Sequence, residues 1–313
     1  MKKLITAALA TGMLAAAAPA AMAGEIAVIV KTTNSSFWQN VNKGATAAIE
    51  GHSEHTMTFN GPAAESAIAD QVALVENAIN RGVAGIVLAP SDTEALAPVV
   101  KRAFEAGIPV AIIDSALAEG NEAYYQTFLS TDNCAAGQGA AAMMIETAGS
   151  EGKVAVMSYV AGVGSEVGRV GCFVDYIGEN SDIEIVGPFY SQSQMATALN
   201  QTTDILAANG DLIGIFGANE PTAIGMGRAI EQASKAGQLV AIGFDGNADL
   251  QDMVSSGTLN AIAVQGSFQM GDLGVNAIAD IIAGNEVTDF IDTGVVMVTQ
   301  ENIDTPVAQN VLY

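Results

Sequence analysis

Gly85-Ile-Val-Leu-Ala-Pro-Ser-Asp92, a stretch of helical spacing from Glu94 to Ala106, and then Ala106-Gly-Ile-Pro-Val-Ala-Ile-Ile-Asp114 form a unit that this chain uses twice. The second copy reads Gly214-Ile-Phe-Gly-Ala-Asn-Glu-Pro221, a helical stretch over 222–236, and Ala236-Gly-Gln-Leu-Val-Ala-Ile-Gly-Phe-Asp245. The first glycine and the glycine after the helix are 22 residues apart in one copy (85 to 107) and 23 in the other (214 to 237). Short apolar runs bounded by Gly, Pro and Asp, separated by about a dozen helical residues, read as strand–helix–strand. The strands must be parallel, because only a parallel pair needs a crossover of that length. Each copy ends on an aspartate just past the carboxyl end of a strand, where open α/β sheets hold their ligands.

The alternation extends outward from both copies. Strands are expected at 26–30, 57–59, 85–88 and 110–113, with helices over 37–50, 64–80 and 94–106 between them. After Asn133 the pattern restarts: helices over 135–147, 164–179, 196–209 and 222–236 alternate with strands at 153–158, 183–186, 212–216 and 240–243. The expected fold class is therefore α/β, with two doubly wound parallel-sheet lobes of Rossmann-like type, helices on both sheet faces, and a ligand between the lobes.

The chain has 313 residues, half of them hydrophobic, which is ample for two cores and excludes long disorder. Only 11 Lys and Arg face 34 Asp and Glu, for a net charge of −23. Phosphate backbones and anionic membrane surfaces both require basic faces, so nucleic acid and such membranes are excluded as partners. The first residues set the compartment. Met1-Lys2-Lys3, an Ala-rich apolar run to Ala21 and the A-x-A pattern Ala21-Met22-Ala23 read as a secretory signal peptide. Cleavage after Ala23 leaves 290 residues and, by removing two lysines, moves the net charge from −23 to −25. No later apolar run is long enough to span a bilayer, so no membrane insertion is expected. An exported compartment is oxidising and holds no nucleotide pool. Cys134 and Cys172 are accordingly either a disulfide or two buried small side chains; their spacing does not choose between these.

Asp114 and Asp245 lead the candidate ligand-binding residues. Both follow buried strands, and carboxylates there can accept charge-assisted hydrogen bonds from ligand hydroxyls. Phe37 and Trp38, which open the first helix, and Phe244, which precedes Asp245, supply aromatic faces suited to the C–H faces of a sugar. Asn219 and Gln265 can both donate to and accept from hydroxyls. Lys31, at the end of the first strand, either donates to the ligand or braces the loop. Gly162-Val-Gly-Ser-Glu-Val-Gly168 is one residue too long for a dinucleotide fingerprint, and its glycines read as loop flexibility or a close backbone approach to a ligand. His52, Glu54 and His55 read as a solvated loop rather than a metal site. No nucleophile elbow or Ser-His-Asp order is present, so no enzyme, no cofactor and no metal are expected.

Taken in order, six segments resemble the periplasmic sugar-binding proteins of the ribose-binding type that serve ABC transporters. They are Val30-Lys-Thr-Thr-Asn-Ser-Ser-Phe-Trp38, Ala89-Pro-Ser-Asp92, Ala111-Ile-Ile-Asp114, Ser130-Thr-Asp-Asn133, Gly243-Phe-Asp-Gly246 and the strand ending at Gln265. The resemblance covers essentially the whole chain after the signal. It implies a three-segment hinge near 131–132, 265–266 and 293–294. The N-terminal lobe would then comprise 24–131 plus 266–292, and the C-terminal lobe 132–265 plus 293–313. It further implies that Phe37, Trp38 and Phe244 sandwich a sugar ring while Asp114, Asn219, Asp245 and Gln265 hold its hydroxyls. Ser35 stands where related binders often carry a ligand-contacting Asn, and Ser115 where ribose binders carry Arg. Counting along the helix puts the family's ligand-binding arginine at Val167 and a second, less direct one at Arg169. Ser193 stands where an aromatic is common, with Tyr190 nearby as a substitute. These departures widen the expected ligand from ribose to any small neutral sugar or polyol: a pentose, a tetritol or a pentitol. The implied protein is a periplasmic monomer that hands its ligand to an ABC permease. Docking on a chemoreceptor or sensor kinase is the alternative, and a secreted sugar-modifying enzyme is less favoured.

Overall fold

The computed structural model describes residues 24–313, so the expected signal peptide, residues 1–23, lies outside the described residues. In chain order the elements are β1 (Glu25–Ile29), α1 (Ser36–Glu50), β2 (Thr56–Asn60), α2 (Ile68–Arg81), β3 (Gly85–Leu88), α3 (Ala97–Glu105), β4 (Val110–Ile113) and β5 (Thr127–Ser130). Next come α4 (Asn133–Ala148), β6 (Glu151–Ser158), α5 (Gly164–Asn180), β7 (Asp182–Tyr190), α6 (Met195–Ala208), β8 (Leu212–Gly217), α7 (Glu220–Gln232), β9 (Val240–Phe244), α8 (Ala248–Ser256) and β10 (Ala261–Gln265). The chain ends with α9 (Ser267–Ile282), β11 (Phe290–Asp292), β12 (Val295–Thr299) and α10 (Pro306–Gln309). Among the described residues, no helix is long and apolar enough to cross a membrane.

Two six-stranded sheets result, with orders β2-β1-β3-β4-β5-β11 and β7-β6-β8-β9-β10-β12. Their first five strands follow the same winding, as the sequence repeat requires. Only the sixth strands differ. β11 joins the first sheet parallel to β5, whereas β12 runs antiparallel to β10, so the second sheet is not wholly parallel. β5, β11 and β12 have no counterpart in the sequence reading. They are short, and β11 is a three-residue edge strand with exposed ends, too brief to show a period. β7 continues through Gly187-Pro188 to Tyr190, past the expected stop at Val186. Proline is tolerated there because β7 is an edge strand.

Each sheet is covered on both faces. In the first lobe, α1 and α9 pack on one face around Val41, Met270 and Ile278, and α2 and α3 on the other around Val75, Leu96 and Val100. In the second, α4 and α5 cover one face and α6, α7 and α8 the other. α1 and α9 touch backbone to backbone. A Cβ on Gly44 would lie 1.9 Å from the Phe268 carbonyl oxygen, and one on Gly271 would lie 1.9 Å from that of Val41. An exposed helical Gly→Ala gains about 1 kcal/mol in propensity. At Gly44 the clash must push the helices apart at a cost of about 1–3 kcal/mol or more, which outweighs the gain. Gly44→Ala is therefore expected to lower the denaturation midpoint, and a raised midpoint would show that the helices have room to separate.

The chain passes between lobes three times: from β5 to α4, from β10 to α9 and from β11 to β12. These passages lie side by side. The Thr293 N–H donates to the Ser130 carbonyl at 3.0 Å, and Thr131 Oγ1 donates to the Gly294 carbonyl at 3.2 Å. A Cβ on Gly266 would stand 2.3 Å from the Thr293 carbonyl oxygen. The architecture is thus two doubly wound α/β lobes on a three-segment hinge. Cys134 and Cys172 form a disulfide that joins α4 to α5, with Cα atoms 5.2 Å apart.

Candidate functional site

The carboxyl ends of both sheets face one cleft. It is lined by Lys31, Ser35, Phe37, Trp38, Glu65, Asp114, Tyr159, Ser165, Arg169, Asn219, Glu220, Pro221, Asp245 and Gln265. Asp114 and Asp245 occupy matching corners. Each sits one residue past its strand with a left-handed backbone, at φ 64° and 76°. Asp tolerates this conformation better than most residues. Each N–H donates to the neighbouring strand, Asp114 to the Leu129 carbonyl at 3.0 Å and Asp245 to that of Ala263 at 2.8 Å. The turn after each strand is therefore fixed by the sheet and aims the carboxylate into the cleft.

On the first lobe's side, the Lys31 ammonium lies 2.6 Å from Asp114 Oδ2 and donates to Ser115 Oγ at 2.6 Å. Ser115 sits behind this pair, 2.9 Å from Ser165 Oγ, and does not line the cleft. Tyr159 Oη meets the same Ser165 hydroxyl at 2.9 Å. Lys31 thus has a bracing role and also presents to the cleft, the two possibilities its sequence position left open.

On the second lobe's side, the polar groups form a chain. Arg169 donates to the Ala218 carbonyl at 2.6 Å, to Asn133 Oδ1 at 2.8 Å and to Gln265 Oε1 at 3.1 Å. Gln265 Nε2 donates to Asp245 Oδ1 at 2.8 Å, and Asp245 Oδ2 accepts the Glu220 N–H at 2.9 Å. The guanidinium lies 3.6 Å above the Phe244 ring. Burial pushes the Asp245 carboxyl up to about 6 although Arg169 and Gln265 oppose the shift. Burial, then the neighbouring Asp245, push Glu220 up to about 7.

Several expected site residues lie elsewhere. Phe244 is fully buried in the second lobe's core and serves as the seat of Arg169, so it presents no face to the cleft. Tyr190, at the end of an edge strand, is partly exposed and does not line the cleft. Val167 points to solvent with 59% of its surface exposed, whereas Arg169 is 2% exposed and lines the cleft. Two residues along a helix is a turn of about 200°, so only one of the two can face inward. The segment Gly162–Gly168 brings backbone close to the other lobe, where a Cβ on Gly164 would lie 2.8 Å from the Ala116 carbonyl oxygen, and places Ser165 on the cleft wall. His52 bonds Asn276 at 2.8 Å and His55 bonds the Gly24 carbonyl at 3.3 Å.

Glu65, Tyr159, Ser165, Glu220 and Pro221 line the cleft without having been singled out from sequence. Glu220 and Pro221 were within reach, because they occupy the second copy's strand-to-helix junction, beside Asn219. Glu65 carries no sequence signal, lying in an irregular loop between β2 and α2.

A family model described as the periplasmic binding protein domain matches residues 26–286. An ABC transporter solute-binding protein from Agrobacterium vitis, solved with bound D-fucose, is 69% identical with a TM-score of 0.92, over 93% of this chain and 100% of that one. A carbohydrate transporter solute-binding protein from Agrobacterium radiobacter, solved in complex with D-arabinose, is 30% identical with a TM-score of 0.88, over 93% and 99% of the two chains. The D-allose-binding periplasmic protein of Escherichia coli is 28% identical over 292 residues, 89% of this chain and 93% of that protein.

Proposed function

Because this chain belongs to the periplasmic binding protein domain family, matched from residue 26 to 286, we propose that it captures a small neutral sugar or polyol, an aldose above all, and delivers it to an ABC permease. It is a sugar-binding protein of the ABC-transport type, and its relatives are binding proteins rather than enzymes. The observation that carries the finer reading is the make-up of the cleft. Two aspartates, one at each sheet's carboxyl end, face each other together with two amides, an arginine and the Phe37–Trp38 aromatic corner. Carboxylates and amides accept and donate to a ring's hydroxyls, while an aromatic face packs on its C–H groups. A bound sugar displaces some of the cross-links that these groups now make with one another, and contacts from both lobes then favour closure about the hinge.

The sugars bound to the structural neighbours, D-fucose and D-arabinose, support an aldose, the 69% relative points to D-fucose or a close stereochemical analogue, and a xylitol-binding relative keeps a pentitol among the candidates. Four carboxylates and two cationic side chains line the cleft, which disfavours sugar acids. The remaining elements of this reading are the export signal over residues 1–23, a periplasmic location and a monomeric state; docking on a chemoreceptor is the second use of the same closed form.

Thermal denaturation with a panel of D-fucose, other aldoses, pentitols and uronates tests it. A ligand at 100 times its dissociation constant stabilises by about 2.7 kcal/mol, a shift of several degrees for a chain of this size. D-Fucose or another neutral aldose is expected to raise the midpoint and uronates to leave it unmoved. No response to any neutral sugar at millimolar concentration, or an equal response to uronates, would overturn the reading.

A further inference from the structure

Two carboxylates that pair with neither Lys31 nor Arg169 cross the cleft in opposite directions. Glu220, the first residue of α7 in the second lobe, accepts the N–H groups of Ser36 and Phe37 at 2.9 Å each. These belong to the first turn of α1 in the other lobe, which has no acidic residue of its own. A helix N-terminus leaves such N–H groups unpaired and carries partial positive charge, so a carboxylate is its natural cap. Ser35 takes the next N–H, that of Trp38. Glu65 does the reverse. From the first lobe it accepts Trp38 Nε1–H at 2.8 Å and the Ser193 hydroxyl of the second lobe at 2.5 Å. Trp38 therefore sits between the two, its backbone in the turn that Glu220 caps and its indole held by Glu65.

Further features hold these carboxylates in place. Tyr313, the last residue of the chain, donates its hydroxyl to Glu220 at 3.1 Å. Ser193 and the preceding Gln192 have φ of 53° and 59°, a conformation that non-glycine residues adopt rarely and that surrounding contacts must maintain. Opening the lobes would separate both carboxylates from their partners across the cleft.

Building on the sugar-binding reading above, we propose that Glu220 and Glu65 are positioning residues, a reciprocal pair of interlobe latches that seats Phe37 and Trp38 against the sugar and sets the balance between open and closed forms. Glu220 makes closure pH-dependent. In the closed form Glu220 is buried beside Asp245 and is pushed up to about 7. In the open form it meets water, where a glutamate titrates near 4.3. Closing thus takes up a proton between those limits, and closure without sugar strengthens as pH falls from 8 to 6, by roughly tenfold. The other groups facing Glu220 are Tyr313, whose own titration lies far higher, and, across the same cleft, Lys31, Arg169, Asp114 and Glu65.

The sole tryptophan of the chain, Trp38, reports on both events. The full mature protein, wild type and the variants Glu220→Ala, Glu220→Gln, Glu65→Gln and Tyr313→Phe, is compared at pH 6 and pH 8. Trp38 emission and stopped-flow release of D-fucose are recorded, with small-angle scattering of the sugar-free protein. Glu220→Ala is expected to speed sugar release roughly tenfold or more and to enlarge the sugar-free radius of gyration. Glu220→Gln, which still accepts hydrogen bonds but does not titrate, is expected to restore part of the slow release and to lose most of the pH dependence. Wild-type release and radius in Glu220→Ala, or a wild-type pH dependence in Glu220→Gln, would overturn the latch. Should Glu220→Ala fail to fold, the isosteric Gln and Phe variants decide the question. If no neutral sugar perturbs Trp38 in the wild type, the sugar reading fails, while the sugar-free radius at the two pH values still decides the latch.

Discussion

Asp114→Ala is expected to abolish saturable sugar binding and to destabilise the fold by about 3–5 kcal/mol, the usual consequence of removing one partner of a buried ion pair. Lys31 and Asp114 are 2.6 Å apart with side chains only 2% and 5% exposed, so the substitution leaves a buried ammonium without its counter-ion. Two companion variants separate the effects. Asp114→Asn keeps the size and tolerates the left-handed backbone at φ 64°, and should recover part of the stability while still binding poorly. Replacing both residues by apolar ones of similar volume should recover more of the stability and no binding, because a buried pair contributes little net stability compared with good apolar packing. Denaturant unfolding and titration calorimetry measure the two quantities. Retained affinity in Asp114→Ala would move the ligand away from the first lobe's aspartate.

Arg169→Ala is expected to have the second large effect, again about 3–5 kcal/mol. It leaves the Ala218 carbonyl, Asn133 Oδ1 and Gln265 Oε1 without their donor and removes the cation stacked 3.6 Å above Phe244. Binding should fall with it, because Gln265 in turn orients Asp245 through a 2.8 Å bond. Arg169→Lys should rescue little, since an ammonium cannot reproduce three diverging donors and a planar stack. A Lys variant with wild-type stability and affinity would reduce Arg169 to a point charge.

The two outcomes also mark what a sequence can disclose about a site. Asp114 and Asp245 were legible because they end equivalent strands of an internal repeat, and repetition is visible without coordinates. Counting along the helix puts the family's arginine at Val167 and a less direct one at Arg169, whereas in the fold Arg169 lines the cleft and Val167 is exposed. Only the helix phase, set by the packing of α5 on α4 and on the sheet, decides which of the two enters the cleft. Phe244 fits a stacking role by its position next to Asp245, yet alternation along β9 turns it to the opposite face, under Arg169.

Local patterning alone specified the α/β class, the duplicated winding and the strand-end location of the cleft, since apolar periodicity and Gly, Pro and Asp punctuation are short-range properties of the chain. The three hinge passages came from resemblance, and the sixth strands came from the folded structure alone: β11 and β12 gain their pairing from neighbours 30 or more residues distant, and three to five residues are too few to announce it. The Cys134–Cys172 bond was an open alternative until α4 and α5 were brought side by side. Glu65 and Glu220 belong to the same class. Nothing near them in sequence marks a latch, because each finds its partner across the cleft, Glu220 on α1 and Glu65 at Ser193, and such partners exist only when two separately folded lobes meet.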